Sequence, residues 1–179
     1  MVEFAVVFPF LVLLVIGSFA TGMVMDRHLV VSQLVRNAGN MYARGIDFAS
    51  TVNKQVLLRS ASGLNIQTAG GQGVVYLSLV VKAPPGSGAN QNQPVIAQRF
   101  VVGNTAIAAS RLGTPPVNAN GSVPNFFNDL NARATLPAAI SAGLGPNQRV
   151  FVAEVEYEPT ELQFAPIVAP NRMYSRAFF

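Results

Sequence analysis

Three acidic residues on one short segment are the densest chemistry in this chain. Glu154, Glu156 and Glu158 alternate along the run Arg149 to Glu158, so an extended backbone puts all three carboxylates on one face, with Glu161 just beyond. Such a row could hold a hard cation such as calcium. The plainer expectation is a solvated outer face opposite an inner face of Phe151, Ala153, Val155 and Tyr157. Glycoside hydrolysis needs two carboxylates facing each other across a cleft, which side-by-side strand neighbours do not supply. With no Cys there is no thiol nucleophile, thiolate zinc site or iron–sulfur cluster. The lone His28, beside Asp26 and Arg27, reads as an interfacial side chain rather than a ligand. Gly70-Gly71-Gln72-Gly73 lacks the spacing and following helix of a phosphate cradle and reads as a turn. There is no G-x-S-x-G, and Asn120-Gly121-Ser122, although a formal glycosylation sequon, also reads as a turn. The expectation is a protein that is not an enzyme, with no cofactor and no metal site.

Glu3 is a different kind of acid, because it stands at the head of an apolar stretch. A carboxylate there is costly to bury in lipid, yet it is close enough to the terminal amine of Met1, in its own chain or a neighbour's, for charge pairing. The alternative is a carboxylate at headgroup level that favours the helix N-terminus. From the residues both stay open.

The elements that carry these residues follow from an unusual composition. Of 179 residues only 11% are charged and 50% are hydrophobic, with a mean hydropathy of +0.36. A soluble domain carries about 25% charged residues, so a free cytosolic globule and intrinsic disorder are both disfavoured. The net charge of +4 is spread one residue at a time, so nucleic-acid binding is not expected.

Phe4 to Met25 carries no charged side chain and is long enough to span a bilayer as a helix. An acidic start and a long apolar run argue against a cleaved secretory signal. No Lys or Arg precedes the span, whereas Arg27, Arg36 and Arg44 follow it, which on the positive-inside rule alone would leave the larger part in the cytoplasm. A basic leader removed ahead of Met1 would reconcile that charge pattern with a head outside. Pro9 should kink or loosen the helix around Ala5 to Pro9. Gly17 and Thr21, and Ser18 and Gly22, are small pairs four apart that permit close helix packing.

Beyond the span, Val31, Val35, Ala38, Tyr42, Gly45, Ala49, Val52 and Val56 draw an apolar stripe that predicts one helix running to about Arg59, stopped by Ser60, Ser62 and Gly63. After Gly63 the period changes. Leu64 to Thr68 and Val74 to Lys82 read as a hairpin, Ala83 to Pro94 as an exposed loop and Val95 to Gly103 as a strand. Ile107 to Leu112 is a weak element, Phe126 to Arg133 and Ala138 to Ala142 are short helices, and Arg149 to Glu158 and Met173 to Phe179 are the last strands. The expected fold is α+β: a long N-terminal helix packed on a mainly antiparallel sheet of about five strands. Residues 1–25 form a transmembrane or filament-core segment, 26–60 an amphipathic continuation and 61–179 the head.

The opening MVEFAVVFPFLVLLVIG, with Glu3-Phe4 before the apolar run and Phe8-Pro9 inside it, resembles the TadE-like family of pilin-related proteins of tight-adherence, type IV-like pilus systems. The following QLVRNAGNMYARG is similar to that family's polar continuation, and VVYLSLVV, QRFVVGN, SRLGTP and VFVAEVEYEP are similar in order and spacing to its periplasmic domain. The resemblance implies a single-pass inner-membrane protein with its head outside the cytoplasm. It also implies cleavage by a prepilin peptidase, handling by pilus assembly machinery, and use as a minor or major subunit of an extracellular filament. Such a homo-oligomer would bury its apolar helices among identical ones. The competing expectation is a permanently membrane-anchored protein whose head binds a partner outside the cytoplasm. In a filament, the row Glu154, Glu156 and Glu158 would meet a basic patch such as Arg99 or Arg111 on the next head.

Overall fold

The computed structural model describes residues 2–61, 63–160 and 172–179, and residues 2–6 by their backbone alone. The chain opens with α1 (Val2–Ala43), an unbroken helix that passes through Pro9. At 1.5 Å per residue its 42 residues extend about 63 Å. The predicted single helix to Arg59 is corrected at Gly45. That residue has φ +84°, and the Gly45 amide donates to the Tyr42 carbonyl (2.9 Å) while the Ile46 amide donates to Met41 (3.2 Å). Those two bonds around a left-handed glycine make a Schellman termination. Asp47 then shapes the turn by accepting from the Ala49 amide (2.8 Å), and the chain restarts as α2 (Thr51–Ser60).

The break redirects the stripe. Val31, Val35, Ala38 and Tyr42 are buried as their spacing predicts, but over 46–60 the buried residues are Phe48 and Leu57. Ala49, Val52 and Val56 are exposed instead. A turn between two helices resets the angular phase, so a period counted across it cannot hold.

Four antiparallel strands make the sheet: β1 (Gly73–Lys82), β2 (Pro94–Gly103), β3 (Arg149–Tyr157) and β4 (Met173–Phe178), in the order β2-β1-β3-β4. The expected hairpin of Leu64–Thr68 with β1 does not form; β1 pairs with β2 and β3. Leu64 and Ile66 are buried, so their alternation reports one-sided burial of irregular chain rather than a strand. Among the described residues the sheet therefore has four strands, not five. The short helix expected at Phe126 to Arg133 is a turn followed by one 3-10 turn at Leu130–Ala132, whereas α3 (Ala138–Gly143) forms where expected.

β1 is central and buried almost throughout because the sheet is covered on both faces. On the inner face, Val75, Leu77, Phe100, Val102, Ala153, Val155, Tyr157 and Met173 meet Val31, Leu34, Val35, Ala38 and Tyr42 of α1 and Leu57 of α2. The Tyr42 ring packs edge-on against Phe48, Phe100 and Phe151. On the outer face, Val80, Ile96 and Val152 are covered by Leu112, Val123, Ala132 and Ala134 from the long excursion between β2 and β3. The same excursion closes the β2 edge through bridges Val95 to Arg133 and Gln98 to Ser122, removing a free edge that invites pairing with another chain.

The loop after β1 is mostly exposed, as expected, but it is pinned by the buried Asn90. The Asn90 Nδ2 donates to the carbonyls of Phe126 (2.9 Å) and Asp129 (2.6 Å), and its Oδ1 accepts from Arg133 Nε (2.8 Å).

Candidate functional site

The burial pattern of α1 changes along one continuous helix. Leu13, Leu14, Val15 and Ile16 are 59, 69, 55 and 47% exposed. Four successive residues at 100° steps sweep most of the circumference, so over 13–16 no face is reserved for the chain's own head, whereas toward the end of the apolar run Ala20 is buried and Met23 and Val24 pack against the inner core. From Val31 onward the helix is one-sided: Leu34, Val35 and Ala38 are buried while Gln33, Arg36, Asn37 and Asn40 are exposed. Among the described residues α1 is the one helix long and apolar enough to cross a membrane.

The predicted packing residues lie on this apolar part. Among the described residues, a Cβ added at Gly17 or Gly22 would meet nothing within 4 Å, so neither glycine is needed for contact with the described part of the head. The Thr21 hydroxyl donates to the Gly17 carbonyl (2.8 Å), which satisfies it inside an apolar segment. Gly45, placed in the packing stripe by its spacing, is instead the helix terminator, and Ala49 lies in the exposed turn after it. Met1 lies outside the described residues and Glu3 is described by its backbone only, so their charge pairing remains an expectation.

At the end of the apolar run, Asp26 and His28 are exposed, and Arg27 Nη1 donates to the Gly63 carbonyl (2.6 Å). One side chain thus ties the helix, where it leaves its apolar part, to the chain just after α2.

In the head, the solvated-face expectation for the acidic row is corrected. Glu154 is 1% exposed and Glu156 7%, and Arg99 opposite them is 4% exposed. The outer face of the sheet is polar at this end, carrying Tyr76 and Ser78 of β1, Arg99 of β2, Glu154 and Glu156 of β3, and Tyr174 of β4. The register explains the grouping, since Ser78 pairs with Arg99, Tyr76 with Glu154, and Glu156 with Tyr174. The segment around Ser110 closes over it. Arg99 donates through Nε to Ser78 Oγ (2.9 Å), through Nη1 to the Gly113 carbonyl (2.5 Å) and through Nη2 to Ser110 Oγ (3.0 Å). The Ser110 hydroxyl donates to Glu154 Oε2 (2.5 Å), and the Tyr174 hydroxyl donates to Glu154 Oε1 (2.6 Å). Arg111 lies over the Tyr174 ring at 3.8 Å and pairs with Glu156 at 3.5 Å.

Arg99 and Arg111, expected on a neighbouring head's patch, both lie at the acidic row of their own chain. Only Glu158 stays partly exposed, and it pairs with Arg172 at 3.9 Å. Burial pulls the Arg99 guanidinium below its ordinary value, opposed by Glu154 and Tyr76. Burial also raises the Tyr174 hydroxyl, reinforced by its hydrogen bond to Glu154.

This network clamps a loop; it does not present a nucleophile. The Ser110 hydroxyl accepts from Arg99 and from the Leu112 amide (3.2 Å) and gives its proton to Glu154, so both lone pairs and the hydrogen are engaged. Among the described residues no group of three or more His, Cys, Asp or Glu side chains is placed to hold a metal ion. Ser78, Ser110, Tyr76 and Tyr174 were missed from sequence. The available signal was polar residues alternating on otherwise apolar strands, Tyr76 and Ser78 against Arg99, which marks a buried polar face only once something covers it.

Comparison with known proteins agrees with the resemblance read from the opening residues. Residues 1–39 match the family described as TadE-like protein, which covers the apolar part of α1 and the start of its packed part. No curated protein and no solved structure matches the chain.

Proposed function

We propose that this chain is a structural, non-catalytic subunit of an extracellular type IV-like filament, held in the inner membrane by α1 before assembly and packed through α1 afterwards. The observation that carries the reading is the change in α1 from all-round apolar exposure to one-sided packing. An apolar surface with no preferred face needs lipid or a ring of similar helices around it. The TadE-like match over residues 1–39 falls on this segment and supports the same reading. In the filament, Gly17, Ser18, Thr21 and Gly22 let neighbouring helices approach closely, and Glu3 meets a terminal amine during transfer out of lipid. The prepilin peptidase and the pilus assembly machinery are the partners this route requires.

The test is sheared cell-surface material viewed by negative-stain microscopy, with mass spectrometry of the filaments. The chain is expected there, and Glu3→Ala is expected to leave membrane insertion intact while sharply reducing filament yield. Recovery of the chain only from detergent-extracted membranes supports the anchored binding protein instead.

A further inference from the structure

We infer that the end of the head beside the membrane exit of α1 carries a seat for the headgroup of an anionic phospholipid, built by the turn that follows α2. The inference rests on α1 residing in a bilayer, as the proposed function requires. The apolar run ends at Met25, and at 1.5 Å per residue Arg27 stands about 3 Å beyond it. A bilayer's headgroup layer is about 5 to 7 Å deep on each side of a ~30 Å core, so Arg27 lies within that layer. The Arg27 side chain bonds the Gly63 carbonyl at 2.6 Å. Gly63 is therefore held at headgroup depth, and the chain around it is the part of the head that meets the membrane surface.

A cavity of ≈ 490 Å³ opens in that chain. Its floor is the edges of Leu58, Ala61, Leu64 and Ile66, which belong to or pack against the inner core, and its rim carries Arg59 and Gln67. Arg59 and Gln67 are exposed. The shape and chemistry fit a phosphate–glycerol headgroup better than an acyl chain. The floor residues are already largely buried in the protein and offer little free apolar surface, whereas the rim presents the Arg59 guanidinium, which recognises phosphate oxygens in a fork. Arg59 is also in the last turn of α2, where a cation favours the helix C-terminus.

The chain has no Trp, so single Trp residues can report depth site by site. Full-length protein carrying Phe10→Trp, Gln67→Trp or Gln91→Trp is placed in lipid nanodiscs. The discs are made of phosphatidylcholine and phosphatidylglycerol, one or the other carrying a spin label high on one acyl chain. Phe10 is in the apolar part of α1 and Gln91 is in the loop at the opposite end of the sheet from Gly63. Phe10→Trp should be quenched equally by both labelled lipids, and Gln91→Trp by neither. Gln67→Trp should be quenched about fivefold more efficiently by labelled phosphatidylglycerol, the ratio that about 1 kcal/mol per cation near an anionic surface gives. Arg59→Gln in that background should bring the two lipids to parity, and Arg59→Lys should keep the preference. Quenching of Phe10→Trp without Gln67→Trp overturns the seat and leaves the membrane reading standing. A Gln67→Trp signal at parity before mutation, or a preference that survives Arg59→Gln, also overturns it. Absence of quenching at Phe10→Trp defeats the membrane reading and the seat together.

Discussion

Replacing Arg99 by Met tests whether the outer-face network holds the head together. The guanidinium is 4% exposed and donates to Ser78, Ser110 and the Gly113 carbonyl. Met fills similar volume but removes the charge and every donor. What remains is Glu154, 1% exposed, accepting from the Ser110 and Tyr174 hydroxyls with the buried guanidinium of the network gone. Breaking a buried charge pair by removing one partner costs about 3 to 5 kcal/mol, because the other charge is left uncompensated. That is a large part of the roughly 5 to 15 kcal/mol that stabilises a typical domain. Glu154→Gln keeps the shape and an acceptor, and it should cost less, about 1 to 3 kcal/mol. Because one hydroxyl, Ser110, bridges the two charges, the double variant should cost less than the sum of the singles by about 1 to 3 kcal/mol. The assay is urea unfolding of the full chain in detergent, followed by near-ultraviolet circular dichroism. Tyr76 and Tyr174 lie in the network and the chain has no Trp to mask them. Loosening of the clamp should also speed tryptic cleavage after Arg111. Stability of Arg99→Met within about 1 kcal/mol of the parent, or strict additivity of the two single variants, would refute the reasoning.

Three further outcomes are expected. The Tyr174 hydroxyl is raised above its ordinary value of 10.0, so its neutral form stabilises the fold fully below pH 10. That contribution is lost as pH rises through the folded-state value, and Tyr174→Phe should flatten the alkaline limb of a stability-versus-pH curve. At Gly39 a new Cβ would run into the Phe179 ring, so Gly39→Ala, which normally gains about 1 kcal/mol inside a helix, should here lose about 1 kcal/mol. Combined with Phe179→Ala the sign should revert, which thermal melts of the two variants would show. A fragment beginning at Gly63 lacks the α1 and α2 residues that cover the inner face and should aggregate, whereas one beginning at Arg27 should stay soluble by size-exclusion chromatography.

Much of the architecture was legible in sequence because it rests on local period and composition. The uncharged run from Phe4 to Met25 must find an apolar environment whatever the rest does, and the stripe Val31, Val35, Ala38 and Tyr42 is buried as its spacing demands. The strands β1, β2, β3 and β4 lie where alternation and β-branched runs put them, and α3 where a short helix was expected. The resemblance carried by the opening residues rests on that same local signature and coincides with the TadE-like match over residues 1–39.

Tertiary structure decided what each residue in those elements meets. Gly45 fits a helical stripe by spacing, yet the left-handed turn that ends α1 needs a residue without a Cβ there, and only the chain's return toward the sheet shows that the turn is taken. Leu64 and Ile66 alternate like a strand, but β1, the partner expected for them, already pairs with β2 and β3 on both sides. The alternation of Glu154 and Glu156 correctly puts them on one face of β3. Whether that face is wet depends on an excursion dozens of residues earlier in the chain, which brings Ser110 and Arg111 over it. A period states which side chains share a face; what covers the face is a long-range contact, and its energy is set by burial and by partners that no local pattern contains.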